Sequence, residues 1–318
     1  MSPRSRVIAV VVAAAVAAAG VTVAATSLTA TKTPTSAPPA LRPGVPPLVL
    51  DLGLRTDSEA RALRRATALF DRKRYAEAGR IFGRYVSAEA QVGAALSAWP
   101  SGADSLPAIA RERPRSGAAQ LALGLLEFWR RNNAAARQAW ARAKKVEPDS
   151  LYAIRGADLL HPEDPVPGIP VFVPERGAPA DLSRLSPPAQ LAFLRRRART
   201  GDARDWLLYG VALQRLNRPV SAERAFRAAA DRAPHDPEAL TAAAVGLFDK
   251  DRPSLSFSHL GPLAKTFPKA ATVRFHLGLM LLWLGRVEEA KRQLRTARAL
   301  DPTSVPGKQA AAFLARLG

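Results

Sequence analysis

The chain has 318 residues, is 47% hydrophobic, contains no cysteine, and carries 47 lysines and arginines against 27 aspartates and glutamates, a net charge of +20. That apolar content excludes a disordered chain, and the missing thiols exclude disulfides, thiolate metal sites and cysteine nucleophiles. The basic excess raises the question of an anionic partner, and no single stretch owns it.

In chain order, Arg4 and Arg6 precede Val7 to Leu28, an uncharged run made mostly of Val and Ala. A helix of that length rises roughly 33 Å, about the hydrocarbon thickness of a bilayer. The two arginines orient it with the remaining chain outside. Residues 7–28 therefore predict a single-pass anchor in the cytoplasmic membrane. Val23-Ala24-Ala25 also offers the small residues that signal peptidase accepts, so a cleaved signal and a secreted chain are the alternative. Residues 29–58 form a linker rich in Pro, Thr and Ala. Over 29–47 its prolines predict an extended spacer that holds the folded part away from the membrane. The run Leu48-Val49-Leu50-Asp51-Leu52 reads as a short extended segment against the first helix.

From residue 59 the signal is repetition. Pro114 and Pro148 stand 34 residues apart, and Pro234, Pro268 and Pro302 repeat the same interval twice. A proline recurring at a fixed distance marks a helix that must stop each time. In the frame 203–236, Trp206, Tyr209, Gly210, Leu213, Ala222, Phe226, Ala229 and Pro234 take positions 4, 7, 8, 11, 20, 24, 27 and 32. In 271–304 the places from position 7 onward hold Leu277, Gly278, Leu281, Ala290, Leu294, Ala297 and Pro302, and 117–150 supplies Leu123, Gly124, Ala136, Trp140, Ala143 and Pro148. Small residues at positions 8 and 20 let two helices approach, and large ones fill the space around that contact.

This pattern resembles the tetratricopeptide repeat. The resemblance implies an all-α, right-handed superhelix, an α-solenoid of helix-turn-helix units, with partners along its concave, A-helix side. The units fall at about 59–82, 83–116, 117–150, 151–202, 203–236, 237–270 and 271–304, with an amphipathic cap over 307–317. The opening unit predicts helices near 59–71 and 76–86. The stretch 151–202 is read as one unit whose helices, Leu151 to Leu160 and Pro188 to Thr200, are separated by a proline-rich insertion at about 161–187.

Carried over residue by residue, the groove positions are Leu121, Leu125, Phe128 and Trp129, then Arg204, Leu207, Val211, Gln214 and Arg215. Further along they are Thr241, Val245 and Phe248, followed by Thr272, Phe275, Leu279, Leu282 and Trp283. The lysines and asparagines with which some family members clamp a C-terminal carboxylate are missing from these positions. The apolar groove suits an amphipathic helix or a hydrophobic peptide, with Phe275, Trp283 and Trp129 as anchors.

Catalytic motifs are lacking, and His161-Pro162-Glu163-Asp164 reads as a solvated loop with no metal or acid-base role. His276 reads as a packing or polar-contact residue near the groove. The Arg195-Arg196-Arg197-Arg199 and Arg61-Arg64-Arg65 clusters predict at most weak attraction to anionic lipid or wall polymer, and nucleic acid is disfavoured. The sequence thus predicts a non-catalytic, cofactor-free bacterial interaction scaffold for an envelope protein or peptide. An RNA-binding or regulatory helical-repeat protein is the alternative.

Overall fold

The structure, a computed structural model, describes residues 41–318. The anchor or signal read at 7–28 lies outside the described residues. No helix among those described is long and apolar enough to cross a membrane.

The described chain is all-α. It holds fifteen α-helices and two short 3-10 turns, Ser101–Ser105 and Ala180–Arg184, with no strand among the described residues. It divides into two compact units, one extending to Pro162 and the other from Glu163 to Gly318. The first contains α1 (Ser58–Asp71), α2 (Tyr75–Phe82), α3 (Ala88–Ser97), α4 (Leu106–Glu112), α5 (Gly117–Trp129), α6 (Asn133–Val146) and α7 (Leu151–Leu160). The second contains α8 (Pro187–Thr200), α9 (Ala203–Arg215), α10 (Pro219–Arg232), α11 (Pro237–Gly246), α12 (Ser254–Thr266), α13 (Ala271–Trp283), α14 (Val287–Leu300) and α15 (Val305–Leu317).

Local chemistry sets these boundaries. Side chains of Asp57, Ser87, Ser116, Asn132, Ser150, Asp202, Asp236 and Ser304 cap helix N-termini by accepting from backbone N–H groups of the first turn. Helices α4, α6, α10, α12 and α14 each end two residues before Pro114, Pro148, Pro234, Pro268 or Pro302. A proline disfavours the helical conformation in the residue before it, so the stop is written into the 34-residue interval. Between the helices of a pair the chain reverses through one left-handed residue: Lys73, Arg131, Asn217 and Gly285, with φ of 62°, 63°, 57° and 70°. Glycine adopts this conformation freely and asparagine tolerates it, so Lys73 and Arg131 carry the conformational strain.

Packing within a pair follows the small-large rule. A Cβ on Gly124 would overlap the Trp140 indole, one on Gly210 the Phe226 ring, and one on Gly278 would stand 2.9 Å from the Leu294 side chain. Ala136, Ala222 and Ala290, at position 20, are buried beside these contacts.

Some helix bounds differ from the sequence reading: the second helix of the opening unit, expected near 76–86, is Tyr75–Phe82. The pair in 83–116 has a second helix of only seven residues, α4, reached through the 3-10 turn. The stretch 151–202 supplies α7, which packs on α6 in the first unit, and α8, which packs on α9 in the second. The C-terminal helix starts two residues earlier than the expected cap and buries Ala310, Phe313 and Leu317 in the last apolar cluster.

Candidate binding grooves

In each unit the A-helix face is covered by a helix-free strap from the same chain. In the first unit the strap is residues 42–52. The Arg42 backbone N–H donates to the Trp129 carbonyl at 2.9 Å, and its guanidinium lies over the Phe128 ring at 3.9 Å. The Trp129 indole N–H donates to the Gly44 carbonyl at 3.1 Å. Val49 packs against the cluster that holds Leu121, Leu125 and Tyr152. Farther on, the Asp51 N–H donates to the Tyr152 hydroxyl at 2.8 Å, while the Asp51 carboxylate accepts from the Leu151 N–H at 2.9 Å. Tyr152 is 1% exposed, and burial raises its phenol well above the usual range. The spacer expected over 29–47 is therefore docked on the helices from Arg42 onward.

In the second unit the strap is residues 164–177, from the proline-rich insertion. Phe172 is 1% exposed, stacks on the His276 imidazole with centroids 4.7 Å apart and meets Phe226 edge-on at 5.5 Å. Burying such a ring stabilises by roughly 2–3 kcal/mol. Consecutive backbone groups are read by helix side chains. The Phe172 N–H donates to Gln214 Oε1 at 3.0 Å, the Val173 N–H to His276 Nε2 at 2.9 Å and the Glu175 N–H to Glu238 Oε1 at 2.8 Å. From the other side Lys250 Nζ donates to the Val166 carbonyl at 3.0 Å and the Trp283 indole N–H to the Gly168 carbonyl at 3.4 Å. Lys250 also pairs with Asp164 at 3.6 Å. The Arg204 guanidinium closes the end of the strap, donating to the carbonyls of Arg176 and Gly177 and to Glu238.

His276 is the most constrained member of this set. Its Nδ1 lies 2.7 Å from the Thr272 carbonyl, which can only accept, so Nδ1 carries the proton and Nε2 offers a lone pair to Val173. Only the neutral ring satisfies both contacts. Complete burial holds its pKa down to about 4, against a smaller opposing effect of the Thr272 hydrogen bond. Burial, and next the nearby Glu238 and Asp236 carboxylates, raises the Glu175 carboxyl above its ordinary range.

The residues predicted for the groove sort clearly. Leu121, Leu125, Leu207, Val211, Gln214, Thr241, Val245, Thr272, Phe275, Leu279, Leu282 and Trp283 are buried on the A-helix faces. Phe128, Trp129, Arg204 and Phe248 are half-buried at the strap or its margin, and Arg215 is exposed. Sequence reasoning missed Tyr152, Glu238 and Lys250 as strap contacts, and it missed the straps as occupants. Of the cationic clusters, Arg197 pairs with Asp205 at 2.9 Å, and Arg64 donates to the Arg55 carbonyl at 2.7 Å and the Gly53 carbonyl at 2.9 Å. Among the described residues no group of three His, Cys, Asp or Glu side chains is placed to hold a metal ion.

No known family model matches the chain, and no curated protein does. Solved structures are similar at low identity. YrrB, a TPR protein described as having an unusual peptide-binding site, is 14% identical over 66% of this chain and 98% of its own, with a TM-score of 0.32. Yeast Tom70 is 12% identical over 86% of this chain, with a TM-score of 0.35, and the match spans 52% of Tom70. PilF of Pseudomonas aeruginosa is 11% identical over 80% of this chain and 96% of its own, with a TM-score of 0.28. Each unit of the present chain is an all-α stack of tetratricopeptide-like helix pairs, with a segment of its own chain laid on the A helices.

Proposed function

We propose that this protein is a non-catalytic interaction scaffold whose A-helix grooves bind helix-free peptide segments of a partner, presented outside the cytoplasmic membrane by the segment 7–28. One observation carries the peptide reading. The strap 164–177 lies on the A helices with its backbone hydrogen-bonded by Gln214, His276, Glu238, Trp283 and Lys250. Side chains that address N–H and C=O groups accept many sequences, while the pocket around Phe172 adds selection for a large apolar residue. A peptide that adopts the same path meets the same partners. This favours a non-helical ligand over an amphipathic helix, whose N–H groups are already satisfied within the helix.

The test is site-specific photocrosslinking in intact cells from the half-buried Phe248 and the exposed Arg215, at the margin of the second groove. Crosslinks to a second polypeptide that disappear on addition of a strap-sequence competitor support the assignment. Crosslinks confined to residues of the same chain refute it. Membrane fractionation with protease protection tests the tether: release of the intact, unprocessed chain into the cytosolic fraction would remove that part.

A further inference from the structure

The two straps share a sequence as well as a role. Pro43-Gly44-Val45-Pro46-Pro47-Leu48-Val49-Leu50-Asp51 and Pro167-Gly168-Ile169-Pro170-Val171-Phe172-Val173-Pro174-Glu175 align as Pro-Gly-(Val or Ile)-Pro-x-(Leu or Phe)-Val-x-(Asp or Glu). Matching positions do matching work. Gly44 and Gly168 both have left-handed backbone, φ 86° and 78°, which residues with a Cβ rarely adopt. Each glycine carbonyl accepts from the indole of the tryptophan that ends an A helix, Trp129 on α5 and Trp283 on α13, both at position 13 of their frames. The prolines that follow, Pro46 and Pro170, are buried, while Pro43 and Pro167 are exposed.

Val49 packs on the cluster containing Leu121 and Leu125, and Val173 on the one containing Phe275 and Leu279, which are positions 5 and 9 of the same two frames. Finally, the N–H of the acidic residue is taken in each unit by the second residue of an A helix: Asp51 by Tyr152 and Glu175 by Glu238, both at 2.8 Å. Each strap thus runs from the C-terminal end of one A helix to the N-terminal end of a neighbouring one, the following helix α7 in the first unit and the preceding helix α11 in the second, and the positions that hold it within each helix are the same.

We infer that this nine-residue motif is the recognition code of both grooves, and that the partner carries it in a helix-free segment that replaces the resident strap. The inference rests on the peptide-binding reading above and specifies its ligand. The chemistry explains each requirement. Glycine admits the left-handed turn that aims its carbonyl at the indole. A buried proline brings no N–H that would need a partner. The Leu or Phe and the Val fill the apolar floor, the last position keeps an N–H for a helix side chain, and in the first strap its carboxylate also accepts from the Leu151 N–H.

The experiment uses the full chain with Val166→Asp and Phe172→Asp, which place charges on the buried face of the second strap and expel it without touching the helices. Fluorescent peptides of residues 164–177 and 41–54, a scrambled 164–177 peptide and one with Gly168→Val are titrated against it. Both native-order peptides should bind at least tenfold more tightly than the scrambled peptide, and the valine peptide should lose that advantage. Adding Trp283→Phe, which deletes one hydrogen bond, should weaken binding about fivefold.

If 164–177 binds and 41–54 does no better than the scrambled control, the shared code is wrong while the groove remains a peptide site. If a helical variant binds neither, both readings fall. Should the aspartate pair unfold the unit, cleavage sites are placed at the exposed positions 162–163 and 177–178 of the otherwise unaltered chain. After cutting, exchange of the freed strap for labelled 41–54 supports the code, and exchange for labelled 164–177 alone overturns it.

Discussion

Lowering the pH should loosen the second strap through His276. Its folded-state pKa is about 4, against 6.5 for the free side chain. Because the folded value is depressed, the unfolded chain takes up the proton first. The stabilisation is complete above the unfolded value and is lost as pH falls from about 6.5 towards 4. That interval corresponds to roughly 3 kcal/mol, a large part of the stability of a unit of this size. The cost is structural: a proton on Nε2 removes the acceptor for the Val173 N–H and places a charge between the Phe172 and Phe275 rings. The control is His276→Gln, whose amide oxygen can accept the same N–H and does not titrate. Denaturant unfolding of both proteins between pH 8 and pH 4, together with hydrogen exchange at the Val173 amide, isolates the histidine because every other titrating group is common to both. The wild type should lose about 3 kcal/mol relative to the variant, with Val173 exchanging faster over the same range. Stability curves that remain parallel across this window would refute the assigned tautomer and its contacts.

Three further outcomes follow from the same geometry. Gly210→Ala forces a methyl group into the Phe226 ring at the helix crossing, and overpacking of this kind should lower stability by about 1–3 kcal/mol in denaturant melts. Arg131→Gly should raise the stability of the first unit by about 0.5–1 kcal/mol, since φ of 63° is strained for arginine and free for glycine. Phe172→Ala removes a ring that is 1% exposed and should cost about 3–5 kcal/mol, with near-ultraviolet circular dichroism changing more than the helical signal because the strap contributes no helix.

The helix pairs were legible in the sequence because each rule behind them is local. A proline two residues past the helix, a serine or aspartate before it, and a glycine opposite a large residue act within one 34-residue frame, and Pro114, Gly124, Trp140, Gly210 and Phe226 all do what that frame requires. That most of these A-helix positions hold apolar residues was legible, but the straps laid on the helices were not. A strap has no periodicity, and its partners lie far along the chain: Phe172 and Gln214 are 42 residues apart, and Val173 and His276 are 103 apart. The packing partners of α7 and α8 were not legible for a related reason: helix length and position follow from local signals, whereas the contacts of α7 with α6 and of α8 with α9 depend on the folded stack. The signal that was available is the Pro-Gly-x-Pro motif, which occurs once ahead of α1 and again ahead of α8.

Proline-rich composition predicts a spacer over 29–47 and an insertion over 161–187, and the straps show why the same composition also suits burial. Each residue laid in an apolar groove brings one N–H and one C=O that must find partners, and an unmet donor costs about 1–3 kcal/mol. Prolines at 165, 167, 170 and 174 delete four donors from the second strap, and the N–H groups of Phe172, Val173 and Glu175 meet Gln214, His276 and Glu238. The strap joins the apolar clusters of the helix faces, Phe172 the one that holds Val211, and Val166 and Val173 the one that holds Phe275 and Leu279. A segment with few donors and a fixed φ at every proline also loses less conformational entropy on docking. On the proposed reading, discrimination between the resident strap and a competing peptide falls on the side chains between the prolines, Phe172 and Val173 above all, because the proline positions offer no N–H for the helices to read.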